Sequence, residues 1–179
     1  MSALLTVRDI VNSQAPTFSV DTPLSSAIDT LIEHQTNGAP VLDAEGQLVG
    51  FLSAHDVMVE MWCQDYLPDY TVKVDHLMKT DVVTMNLEDR LTDALEELAL
   101  DKEQLYPTSG MGYATQMTTL SLEERAKSIK VNKPQILPVL DQGQYVGVVS
   151  RQEVLKALRS LFNDSPSQTT EATAPANVA

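Results

Sequence analysis

Apolar residues recur at helical period in two places along the chain. Leu24, Ala27, Ile28, Leu31 and Ile32 fall at i, i+3, i+4, i+7 and i+8, and Leu91, Ala94, Leu95, Leu98 and Ala99 repeat that spacing. Each stripe predicts an amphipathic helix with one buried face. Pro23 suits the first helical position, with Asp21 or Thr22 as the cap. A short β segment precedes each helix, at residues 17–20 and 82–85. Two apolar runs follow, APVL and QLVGFL in the first half, PVL and QYVGVV in the second. They are joined at DAEG and DQG, Asp/Gly turns that predict hairpins. A further helix closes each set, with Val57, Met58, Met61 and Trp62 as its apolar positions in the first half. In the second half these are Val154, Leu155, Leu158, Leu161 and Phe162. Met and aromatic side chains at such spacings point to core or subunit interface rather than to a cofactor.

The pattern is one unit written twice. Residues 7–27 align with residues 74–94 at a constant offset of 67, pairing Val7 with Val74, Thr17 with Thr84, Leu24 with Leu91 and Ala27 with Ala94. Residues 40–58 match residues 138–155 with one deletion, and the offset has by then risen to 98. The second unit therefore carries about thirty-one extra residues within 99–135. The expected fold is α+β, two β-α-β-β-α repeats packed sheet to sheet with pseudo-twofold symmetry. Repeat one spans 7–62, a linker 63–73, and repeat two 74–162 including the insert. Residues 163–179 are polar and Pro/Ala/Thr-rich, the composition of a disordered tail. A unit of about 50 residues buries little surface alone, which favours two units sharing a core.

Candidate chemistry sits where a strand hands over to the last helix of each unit. The first copy reads GFLSAHD, from Gly50 to Asp56, and the second GVVSRQE, from Gly147 to Glu153. The N-terminal N–H groups of such a helix are unpaired and favour an anion. Ser53 adds a hydroxyl suited to a phosphate, and an ionised Asp56 accepts hydrogen bonds, as a sugar diol requires. The competing reading is a capping box, which needs no ligand and prefers the longer Glu or Gln. Ser150 with Glu153 fits capping well. Ser53 with the shorter Asp56 fits it less well and suits a diol better, which ranks the first copy as the better ligand site. Arg151 beside Ser150 could meet a phosphate or simply sit exposed at a helix start.

Charge narrows the partners. The formal net charge is −13, and residues 1–72 hold ten acids against the single base Arg8. This opposes nucleic acid and anionic membrane surfaces as main partners. No stretch approaches a membrane span, and the N-terminus lacks the features of a signal peptide. The lone cysteine, Cys63, reads as a packing residue and fits a reducing, cytoplasmic setting. His34, His55 and His76 are scattered, and no Cys/His cluster, P-loop or GxGxxG is present, so neither metal binding nor enzymatic activity is expected.

The doubled unit, with NGAPVLD before the hairpin and GFLSAHD after it, resembles a tandem pair of CBS domains, often called a Bateman module. The resemblance covers residues 7–162 apart from the insert. It implies a stand-alone regulatory module, not an enzyme, with no required cofactor. It implies a cleft that takes an adenosine-containing ligand: AMP, ADP, ATP or S-adenosylmethionine. It also implies a homodimer that signals to a regulated protein. Carried over residue by residue, it places Ser53 at the phosphate and Asp56 at the ribose. Gly38, Ala39 and Pro40 would lie at the adenine edge, with Thr17 and Phe18 beside the base. The weaker second site would use Ser150, Arg151, Glu153, Pro138 and Val83, its Glu departing from the family's Asp. The alternative is a ligand-independent dimerisation or interaction module in which both motifs only cap helices.

The insert departs most from the family pattern. Ser121 and Glu124 form a third capping-box match, Arg125, Lys127, Lys130 and Lys133 a basic run, and residues 107–117 an uncharged, two-glycine loop. Its length marks it as a candidate to cover the second cleft or dock a partner.

Overall fold

The structure is a computed structural model that describes residues 5–100 and 134–163. The 107–117 loop, Ser121, Glu124, the basic run and all but the start of the tail lie outside the described residues.

Each half builds a three-stranded sheet. In the first, β1 (Phe18–Ser19) runs parallel to β2 (Gly38–Leu42), which pairs antiparallel with β3 (Leu48–Ser53). In the second, β4 (Met85–Asn86), β5 (Ile136–Asp141) and β6 (Gln144–Ser150) repeat that order. The registers correspond residue by residue. Phe18 faces Val41 as Met85 faces Val139, and both β2 and β5 are irregular one step later, at Val41/Leu42 and Val139/Leu140. β1 is shorter than the segment expected at 17–20, and β4 begins only at Met85, the last residue of the segment expected at 82–85, and runs on to Asn86.

The hairpins differ by the single deleted residue, and turn chemistry accounts for each. Gln142 and Gly143 both take positive φ, 50° and 86°, the signature of a two-residue type I′ loop. The longer first turn is held by the Asp43 carboxylate, which accepts from the N–H groups of Glu45 at 3.0 Å and Gln47 at 2.8 Å.

The helices follow the stripes. α1 (Leu24–Glu33) buries Leu24, Ala27 and Leu31. α2 (Ala54–Cys63) follows β3, and a short α3 (Val74–Leu77) precedes β4. α4 (Leu91–Ala99) buries Leu91, Ala94 and Leu98, and α5 (Arg151–Asn163) closes the second half. Pro23 is the N-cap of α1 rather than its first turn, and no side chain caps it. Instead the Leu24 N–H donates to the Val72 carbonyl at 3.0 Å. Ile32 is exposed on the last turn of α1, which ends one residue later and turns Leu31, not Ile32, into the core. Cys63 is exposed too, at the end of a helix that buries only Val57, so the packing role expected for it is not realised.

Two apolar clusters make the core, and their members are repeat equivalents: Phe18, Leu24, Ala27, Leu31, Val41 and Leu52 in one, Met85, Leu91, Ala94, Leu98, Val139 and Val149 in the other. One pair is exchanged. Val7 is fully buried in the second cluster and Val74 in the first. The segments that open the repeats have swapped halves. The Val7 N–H donates to Asp89 and the Arg8 N–H to Leu87, while the Val74 N–H donates to Thr22 and the Asp75 N–H to Val20.

The halves meet through β2 and β5. Across that contact Asn37 Nδ2 donates to Gln135 Oε1 at 2.6 Å, and Gln47 Nε2 to Gln144 Oε1 at 3.0 Å. Each pair joins a residue to its own repeat equivalent, as residues close to a pseudo-twofold axis must.

Candidate functional site

Beyond α3 the chain runs along the free edge of β3. Lys79 and Phe51 exchange both backbone hydrogen bonds at 2.9 Å. Asn12 and Val148 do the same in the other half, at 2.8 and 3.0 Å. The glycine that begins each motif permits this approach. A Cβ on Gly50 would lie 2.6 Å from the Met78 sulfur, and one on Gly147 would lie 2.6 Å from the Asn12 carbonyl oxygen.

The edge pairing places the Lys79 side chain at the mouth of a cleft of about 640 Å³. Ser53, Ala54, His55 and Asp56, the start of α2, form one wall. Lys79, Asp81, Val82 and Val83 form another, and Pro134, Gln135, Ile136 and Arg151 come from the second half. Phe51, Met58, Val82, Val83 and Ile136 supply apolar surface. Arg151 is held by its Nε–H, which donates to the Leu98 carbonyl at 3.0 Å in the last turn of α4.

Asp56 is the best-connected group in the cleft. Its Oδ2 accepts from the Ser53 N–H at 3.1 Å and from the Ser53 hydroxyl, and the Asp56 N–H donates back to Ser53 Oγ at 3.2 Å. That is a complete capping box. Its Oδ1 meets Lys79 Nζ at 2.8 Å. Burial pushes the Asp56 carboxyl up, but the Lys79 and Ser53 hydrogen bonds and the Lys79 charge outweigh it, and the carboxyl ends below its ordinary value. The second step is built alike. The Ser150 N–H donates to Glu153 Oε2 at 3.0 Å, the Ser150 hydroxyl donates to the same oxygen, and Glu153 Oε1 lies 3.5 Å from Lys156. The shorter acid therefore caps as fully as the longer one, contrary to the expectation from side-chain length.

Of the residues singled out in the sequence, the cleft gathers Ser53, Asp56, Val83 and Arg151. It draws them from both expected sites into one. Gly38, Ala39, Pro40 and Pro138 are buried in β2 and β5, Phe18 lies in the first core and Thr17 is exposed; none of them lines this cleft. Ser150 and Glu153 sit outside it as well. Sequence reasoning missed Lys79, Asp81, Asn37 and Gln135. The one available signal for Lys79 was its alignment with Asn12, a change of charge at the 67-residue offset.

Among the described residues no group of three or more His, Cys, Asp or Glu could hold a metal ion, and no helix is long and apolar enough to cross a membrane.

A family model described as CBS domain matches residues 7–62 and 126–160. The uncharacterized protein MJ1426 of Methanocaldococcus jannaschii is 24% identical over 161 residues, which cover 87% of this chain and 92% of that protein. The crystal structure of the CBS-pair protein CBSX2 from Arabidopsis thaliana matches with a TM-score of 0.64 at 22% identity, covering 91% of this chain and 100% of that one. CBSX2 in complex with AMP matches at 0.59 and 21%, covering 88% and 98%. The CBS domain pair of protein MJ0100, in complex with 5′-methylthioadenosine and S-adenosyl-L-methionine, matches at 0.59 and 18%, covering 89% and 99%.

Proposed function

Since this chain belongs to the CBS-domain family, we propose that it is a regulatory module that binds an adenosine-containing ligand in the cleft at the start of α2 and passes that state to a partner protein. The observation that carries the reading is the make-up of this one cleft. It joins a buried-edge carboxylate, a serine at a helix start, two cations and an apolar wall contributed by the opposite half. A ribose diol can donate to Asp56, a phosphate can meet Lys79, Arg151 and the first turn of α2, and a base can lie against Val82, Val83 and Ile136. Related CBS pairs carry AMP, or 5′-methylthioadenosine and S-adenosylmethionine, which supports the ligand class. The reading includes a homodimer, because Met58, Trp62, Leu155 and Phe162 leave apolar surface on α2 and α5 exposed.

A second reading has its own support. Both capping boxes are satisfied within the chain, so neither motif needs a ligand to account for it. In that case the protein is an interaction module alone. A thermal-shift panel with AMP, ADP, ATP, adenosine and S-adenosylmethionine separates the two. A ligand at a hundred times its Kd adds about 2.7 kcal/mol of stability, or roughly 5–10 °C for a chain of this length. No shift with any of the five leaves the interaction module as the function.

A further inference from the structure

We infer that Lys79 selects phosphorylated adenosines over neutral or cationic ones, by occupying the carboxylate that the ribose must reach. The inference rests on the adenosine reading of the cleft and names the class of ligand within it.

The geometry sets up a competition. Asp56 Oδ2 is committed to capping α2, so Oδ1 is the oxygen left for a diol, and Lys79 Nζ lies 2.8 Å from it. The Asp56 side chain is only 11% exposed, whereas that of Lys79 is 65% exposed. A diol can therefore replace the ammonium without moving the helix, and the ammonium is the mobile member of the pair. What differs between ligands is where that ammonium goes. With AMP it moves onto the phosphate, where a charge-assisted hydrogen bond replaces the one it gave up. With adenosine it returns to water and the ion pair is simply lost. With S-adenosylmethionine it meets a ligand of net positive charge, whose sulfonium and amino group oppose Lys79 and Arg151 and whose carboxylate alone can take the ammonium up.

The pseudo-symmetry makes Lys79 a particular choice of this half. Its equivalent is Asn12, whose backbone pairs identically with β6 but which carries no charge. The edge pairing needs only the backbone, so the lysine side chain is free to serve the cleft.

The test is calorimetric titration of the full-length protein and its Lys79→Met and Lys79→Arg variants with AMP, adenosine and S-adenosylmethionine. The wild type should prefer AMP over adenosine by about tenfold or more, the worth of a hydrogen bond to a charged group. Lys79→Met should move the two ligands in opposite directions. AMP weakens by about two- to fivefold, because loss of the phosphate contact is partly offset by an ion pair that no longer has to be broken, while adenosine tightens by about two- to fivefold, the worth of a partly exposed ion pair. Lys79→Arg should keep the preference for AMP. Equal wild-type affinity for AMP and adenosine, or a parallel loss of both in Lys79→Met, overturns the inference and leaves the adenosine reading standing. Absence of binding by all three ligands to the wild type overturns both.

Discussion

Asp56 serves two partners with two oxygens, and the consequences separate by pH. One oxygen closes the N-terminus of α2 on Ser53; the other holds Lys79. Both favour the ionised form, so the folded carboxyl titrates below its ordinary value despite partial burial. The unfolded chain then binds a proton more readily than the folded one near pH 4, and acid favours unfolding. The stabilisation from Asp56 is in place above about pH 4 and is lost as pH falls through the lower folded value. Asp56→Asn removes it at every pH. The stability gap between wild type and variant, read from urea midpoints, should be flat from pH 6 to 8 and shrink below about pH 4. A gap that is unchanged at pH 3 would mean that the ionised carboxylate contributes nothing. At this scale the sequence was partly legible. Ser53 and Asp56 stood out because capping is a three-residue affair, readable along the chain. Lys79 did not, because it reaches Asp56 only after a crossing between halves that no local spacing encodes.

Elements were easier to read than residues, for a physical reason. Helical stripes and hairpin turns report contacts between near neighbours, and α1, α4 and both hairpins formed where those signals lay. The misplaced details lie at ends: Ile32 is exposed, β1 is trimmed to two residues, and β4 is displaced to Met85–Asn86. The reason for a glycine at the head of each motif was also hidden, since it lies in the approach of a distant segment. That approach makes a graded prediction. A methyl at Gly147 meets backbone, the Asn12 carbonyl, which is itself pinned to Val148. A methyl at Gly50 first meets the end of the Met78 side chain, which can move. Gly147→Ala should therefore cost about 1–3 kcal/mol and Gly50→Ala less, both read from chemical denaturation. The reverse order would place the rigid contact in the wrong half.

At the scale of the whole molecule, exchange of the opening segments predicts that the two halves unfold as one cooperative unit. Each core is completed by a residue from the start of the other repeat, Val7 in the second cluster and Val74 in the first. The pairs Asn37–Gln135 and Gln47–Gln144 tie the same two bodies across the β2–β5 contact. A half that opens must release a strap belonging to the other, so local opening of one half raises the cost of keeping the other closed. Val7→Ala tests this, because the side chain is fully buried and far in sequence from the core it fills. Removing its methyl groups should cost about 1–3 kcal/mol. In a single cooperative unit, amide hydrogen exchange should accelerate by the same factor at Val149, in the cluster that Val7 fills, and at Leu52, in the other half. Faster exchange confined to Val149, with Leu52 still protected as in the wild type, would mean that the exchanged segments join two bodies that unfold separately. A signal set in one cleft would then stop at the β2–β5 contact, and regulation would have to act through whichever half the partner touches.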